Sequence, residues 1–142
     1  MNSTNKTIVT NFIEEIWNLN HFEKIADYVA VDFEDHSLPP TLPPNQAGTK
    51  MWIMETGKAF EHQTIVEKMV GEEDKVMLKI RMDLKHIGTW RNIEPTLSDI
   101  SVVGYRYFEL ADGKITSHWS LLDGNSIENQ LKSCQHGCKI QE

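Results

Sequence analysis

The sequence predicts an α+β domain in which N-terminal helices pack against a strongly curved, mostly antiparallel sheet enclosing an open-ended cone. Three observations carry this. Apolar residues recur at helical spacing over residues 5–29, strict two-residue alternation runs from Lys75 to His86, and an Asp-Gly turn joins two apolar runs at 111–113. Helices first and a meander of strands after them make a layered α+β order.

The first helix is expected over residues 5–19, where Val9, Phe12, Ile13, Ile16 and Trp17 share one side, with Asn5 as a candidate N-cap. A break at Leu19-Asn-His21 leads to a second short helix with Phe22, Ile25, Ala26 and Val29 on one face. Val31–His36 reads as a short extended piece entering a loop. The loop Leu38-Pro-Pro-Thr-Leu-Pro-Pro44 cannot be helical, because proline lacks the amide donor and restricts the residue before it. Helical character returns at 46–60 with Ala47, Met51, Trp52, Met54 and Ala59 on a broad apolar side.

Strands follow. Thr64–Val70 is joined by Gly71-Glu-Glu-Asp74 to Lys75–His86, whose Val76, Leu78, Ile80, Met82 and Leu84 occupy one face. Ser98–Leu110 and Lys114–Leu122 are the third and fourth strands, and Ser126–Lys132 is a C-terminal helix.

The 142 residues include 14 basic and 21 acidic side chains, for a net charge of −7, and 39% are apolar. That fits one domain over 1–142 with its core at about 5–132 and a short tail. An acidic chain without a dense basic run argues against nucleic-acid binding. The apolar stretches are shorter than a membrane span, and the first seven residues lack the pattern of a secretory signal. Cys134 and Cys138 both lie in the tail, where they cannot staple a core, so a reducing, cytoplasmic compartment is expected.

The eight glycines are dispersed and form no phosphate-binding loop. The remaining candidates are histidines and carboxylates near strand ends. His86 continues the inward face of its strand, as either a core histidine or a pocket group with a tuned pKa. His118 and Asp123 flank Trp119. On an ideal strand they face opposite sides, so they converge only if the strand bends or ends near Leu122. Asp123 otherwise caps the helix that follows, and Trp119 is a core or pocket-wall aromatic. Asp35 and His36 form a carboxylate–imidazole neighbour pair at a loop mouth or are simply solvated. Arg106 shares parity with Phe108, so it is expected to point inward and to meet a carboxylate in a structural salt bridge. Cys134-Gln-His-Gly-Cys138 supplies three ligand types but no fourth, a poor zinc pattern.

The stretch Tyr107-Phe-Glu-Leu-Ala-Asp-Gly-Lys-Ile-Thr-Ser-His-Trp-Ser-Leu-Leu-Asp123 resembles the most recognisable segment of the SnoaL-like polyketide (ester) cyclases, of the NTF2-like superfamily. Lys85-His-Ile-Gly88 is similar to the family's Thr-His-x-Gly, and Gln130-Leu131 to its terminal Gln-Leu. Pro95-Thr-Leu97 stands where the family has Pro-Thr-Gly, and Phe60-Glu-His62 where it has Phe-Pro-Asp.

The resemblance implies an NTF2-like cone and a cofactor-free intramolecular aldol ring closure on a small to medium apolar carbonyl compound. Asp123 would be the acid/base, with His86 and His118 assisting. Asp35, His36, Trp119, Trp52, Phe12 and Arg106 are expected to line the substrate pocket. It also implies a homodimer formed through the sheet. Two other readings stay open: a dehydratase or isomerase that uses a His/Asp pair to remove a proton alpha to a carbonyl, and a non-catalytic domain that holds an apolar ligand. An enzyme requires a carboxylate within hydrogen-bond reach of a histidine or of the substrate.

Overall fold

The computed structural model describes residues 2–141, with side chains over residues 4–134. Helix α1 (Asn2–Phe12) runs into a π-helical segment, Ile13–Asn18. A 3-10 turn, Phe22–Lys24, and the one-turn helix α2 (Ile25–Tyr28) lead into β1 (Val29–Asp35). Then come α3 (Gln46–Ala59), β2 (Phe60–Glu72), β3 (Lys75–His86), β4 (Asp99–Ala111), β5 (Lys114–Leu122) and α4 (Gly124–Gln141). Asn5 lies inside α1 rather than capping it, and its amide donates to the Glu73 carbonyl across the β2–β3 turn.

The strand order is β1-β5-β4-β3-β2. It is mixed, with β1 parallel to β5 and the other three pairings antiparallel. The expected curvature is corrected: the sheet is open, ending in two edges, and is not the strongly curved cone that was expected. The register explains why. β3 and β4 pair without a break from Lys75↔Glu109 to Lys85↔Asp99, and the antiparallel pairs shift only between Val66 and Lys68 and between Glu109 and Leu110. Sheets bend sharply where bulges accumulate, and few do here. β2 is longer than expected because Phe60-Glu-His62 pairs with Leu84–His86.

The alternation from Lys75 to His86 holds: Val76, Leu78, Ile80, Met82, Leu84 and His86 are all buried. They meet Val9, Phe12, Ile13, Ile16 and Trp17 from the N-terminal helical segments in one core. The turn at Asp112-Gly113 has positive φ at both residues (51° and 78°), the geometry that matches strand twist in a two-residue hairpin. Ile127 and Leu131 of α4 join the core, and Gln130 Nε2 donates to the Ser101 carbonyl of β4. Among the described residues no helix is long and apolar enough to cross a membrane.

Candidate active site

Asp35 ends β1, and its Cα partner across the parallel pair is His118 of β5. Both side chains turn into the helix-covered interior, where each residue is about 3% exposed. His118 Nδ1 donates to Asp35 Oδ1 at 3.2 Å. The same oxygen accepts from the Ser37 backbone N–H at 3.2 Å, and Oδ2 accepts from Thr49 Oγ1 at 2.9 Å. Thr49 reaches Asp35 because α3 starts at a defined place. The Asn45 side chain accepts from Gly48 N–H at 3.1 Å, and Gly48 lets the Pro43 carbonyl oxygen approach where a Cβ would stand. The proline loop closes the site's rim, with the Asp35 N–H donating to the Pro44 carbonyl at 3.1 Å.

Burial alone would raise the Asp35 carboxyl. The hydrogen bonds from His118, Thr49 and Ser37 outweigh it and hold the group below its ordinary value. His118 goes the same way for a different reason. Burial pushes the imidazole down and the Arg106 charge adds to this, against the lift from Asp35. At neutral pH the pair is therefore a carboxylate and a neutral imidazole with its proton on Nδ1. The tautomer leaves the lone pair on Nε2, which faces Arg106 Nη1 at 3.4 Å.

Phe108 packs its ring 4.7 Å from His118, and the Arg106 guanidinium lies 4.2 Å over the Trp17 ring. Trp17 in turn meets His62 edge to face at 6.0 Å. Trp17 Nε1, His62 Nδ1, Thr64 Oγ1 and Arg106 Nε are buried without a hydrogen-bond partner. Polar atoms left so in an apolar interior are uncommon and are where a water or a ligand group would be taken up. Burial and the nearby Arg106 charge keep His62 below its ordinary value.

The other expected site residues lie elsewhere. His86 is fully buried at the far end of β3, paired with Phe60. His118 is level, through Phe108, with Val76 at the opposite end. At about 3.3 Å per residue, that is roughly 30 Å of strand away. His86 Nδ1 accepts from the Thr96 N–H at 3.1 Å, and its Nε2 is buried without a partner. Asp123 is exposed and accepts from the Ser126 N–H at 2.9 Å, capping α4. It lines an open surface groove of about 750 Å³ together with Arg91, Tyr105, Leu121 and Ser126.

His36 and Trp119 each follow a site residue in the chain and so face the other side of the sheet. Their rings stack at 4.1 Å with an 8° tilt, and Tyr107 lies against Trp119. Trp52 is exposed on α3, while Phe12 is core, edge to face with Phe108 and Tyr28. Among the described residues no three His, Cys, Asp or Glu side chains gather as metal ligands. Of the tail grouping, the His136 and Cys138 side chains lie outside the described residues.

Sequence reasoning passed over Thr49, Trp17 and His62 as site residues. His62 carried a signal, standing where the resembled family has an acid. Thr49, one hydroxyl within a helix, carried none.

A helix-covered sheet with a carboxylate–imidazole–guanidinium row in its apolar interior defines the class: an α+β domain with a buried polar centre. The chain belongs to the SnoaL-like polyketide cyclase family, of the NTF2-like superfamily, whose model matches residues 7–131. No curated protein sequence matches it. Solved structures with similar folds include AclR from Streptomyces galilaeus, described as a provisional hydroxylase (22% identity, TM-score 0.79, covering 94% of this chain and 98% of that one). A provisional polyketide cyclase from Acidithiobacillus ferrooxidans superposes with TM-score 0.81 at 20% identity, covering 92% and 96%. IdmH from Streptomyces antibioticus, also described as a provisional polyketide cyclase, does so with TM-score 0.81 at 19% identity, covering 90% and 98%.

Proposed function

We propose that this chain is an acid–base enzyme that removes a proton alpha to a carbonyl and, as the family name implies, uses the resulting enolate to close a ring by intramolecular aldol addition. The single observation that carries the reading is the buried His118–Asp35 pair at 3.2 Å. Arg106 Nη1, 3.4 Å from His118 Nε2, would first have to turn away to the ligand; Nε2 would then take the α-proton while Asp35 holds Nδ1–H and stabilises the imidazolium that forms. The enolate carbon would then bond to a second carbonyl carbon of the same molecule. The alkoxide left there would take the proton back from Nε2, so no proton is gained or lost.

Aromatic walls supply proximity by holding an apolar chain folded. The acid/base role expected for Asp123 falls to His118 in this reading, because the Asp123 carboxylate faces solvent and caps α4. An isomerase or dehydratase would share the first step, so the test addresses that step. In D₂O, a panel of methyl ketones and 1,3-dicarbonyl compounds is followed by NMR for deuterium uptake at the α-carbon. Uptake that falls at least about 100-fold in His118→Ala supports the proposal. Uptake indifferent to that change, or none with any ligand that binds, removes it.

We also infer that the chain forms homodimers through the uncovered sheet face, where Met77, Val103, Tyr105, Trp119 and Leu121 are exposed together.

A further inference from the structure

Arg106 presents a contradiction in physical terms. The residue is about 4% exposed, yet among the described residues no carboxylate oxygen lies within ion-pair distance of its guanidinium. Among the described residues the carboxylate whose field reaches it is that of Asp35, and both Asp35 oxygens are already engaged by His118, Ser37 and Thr49. Of five donors, Arg106 commits Nη1 to a long contact with His118, while Nε is buried and unpaired. Burial lowers its pKa to about 10, so it stays charged at neutral pH. A guanidinium without its fork filled is normally excluded from a protein interior. Trp17 holds it in place through the ring face, and the Trp17 Nε1–H is itself buried and unpaired.

Water could satisfy the N–H groups of that fork but not its charge, and among ligand groups two kinds of acceptor could fill it. A neutral carbonyl offers one oxygen and no charge, which leaves the cation uncompensated. A carboxylate offers two coplanar oxygens that match the fork and a single negative charge. A dianionic phosphate fits less well, because the Asp35 carboxylate stands behind His118 and would repel the second charge.

We propose that the ligand of this interior carries an ionised carboxylate, that Arg106 receives it with Trp17 Nε1–H as a further donor, and that the substrate is therefore a keto acid rather than a neutral ester. The inference rests on the proposed function only in taking the same interior as the ligand site. Arg106 is then the group that selects and anchors the substrate, and drawing Nη1 onto the carboxylate frees His118 Nε2 to work on the ketone.

The test uses matched probes: 4-acetylbenzoate and 6-acetyl-2-naphthoate, each against its methyl ester, with binding read by tryptophan fluorescence and NMR. The acid should bind roughly 10- to 100-fold more tightly than the ester in the wild-type protein. It alone should raise the melting temperature. In Arg106→Gln the acid should lose that advantage and bind like the ester. Arg106→Met should also lose it while melting at or above the wild-type temperature, since an unpaired buried charge has been removed.

Equal binding of acid and ester, an acid preference that survives in both variants, or no binding of either acid overturns the proposal. His118→Ala separates the two ideas. It should keep the acid preference while losing α-deuteration. Acid preference without α-deuteration in the wild type would sink the acid–base reading and leave the carboxylate site standing.

Discussion

Asp35 and His118 are backbone partners across the one parallel strand pair, and the same register brings their side chains into a buried hydrogen bond at 3.2 Å. The next residue on each strand, His36 and Trp119, stacks on the opposite face at 4.1 Å. One pairing thus positions both an interior carboxylate–imidazole pair and an exterior aromatic pair. Replacing Asp35 by Asn removes the group that lifts the His118 pKa. The imidazole should then titrate lower still by NMR, with α-deuteration falling about 10- to 100-fold. Loss of the carboxylate acceptor for Thr49 and Ser37 should cost about 1–3 kcal/mol in denaturant unfolding.

Acid should destabilise the fold through its buried histidines. Burial holds His62, His86 and His118 below the ordinary imidazole value, so the native chain resists protons that the unfolded chain binds near pH 6.5. Where the unfolded state binds more protons, stability falls as pH falls. Melting temperature should be level above about pH 7 and decline below about pH 6.5, less steeply in His62→Gln. The lowered Asp35 carboxyl adds a second loss only below about pH 4. A melting temperature unchanged between pH 7 and 5 would contradict this.

Leu97 stands at φ 59°, a left-handed conformation, where the resembled family has glycine. Its side chain is 64% exposed, so it returns little by packing. A left-handed L-residue costs roughly 1–2 kcal/mol, and glycine gives back part of that in unfolded-chain entropy. Leu97→Gly should therefore stabilise by about 0.5–1 kcal/mol in a denaturant melt. Destabilisation would mean that the leucine makes a contact in solution beyond this chain.

Asp123→Ala should lose the α4 cap, at about 1 kcal/mol, and leave His118-dependent α-deuteration within twofold. Asp123→Asn, which can still cap, should be nearly silent in both measurements. A large loss of turnover in the folded Asn variant would return Asp123 to the chemistry.

Light scattering should give twice the chain mass, and Tyr105→Lys with Leu121→Lys on the exposed sheet face should halve it. A wild-type mass equal to one chain at every concentration would end the dimer reading.

Residue periodicity by itself determined which side chains of β3 face inward, because alternation is a local property of an extended chain. Turn chemistry marked the Asp-Gly hairpin, and the Tyr107–Asp123 motif carried the resemblance to the family. Parity even warned that His118 and Asp123 look opposite ways. It could not say which strand would lie beside β5. That neighbour is β1, joined by parallel pairing, which has no hairpin signal because the partners are far apart in the chain. Only the tertiary structure decided that Asp35 rather than Asp123 reaches His118, that His86 lies at the other end of β3, and that Arg106 is buried with no carboxylate among the described residues within ion-pair distance. Each of these depends on where distant segments meet, and local spacing constrains only the face a residue takes on its own strand.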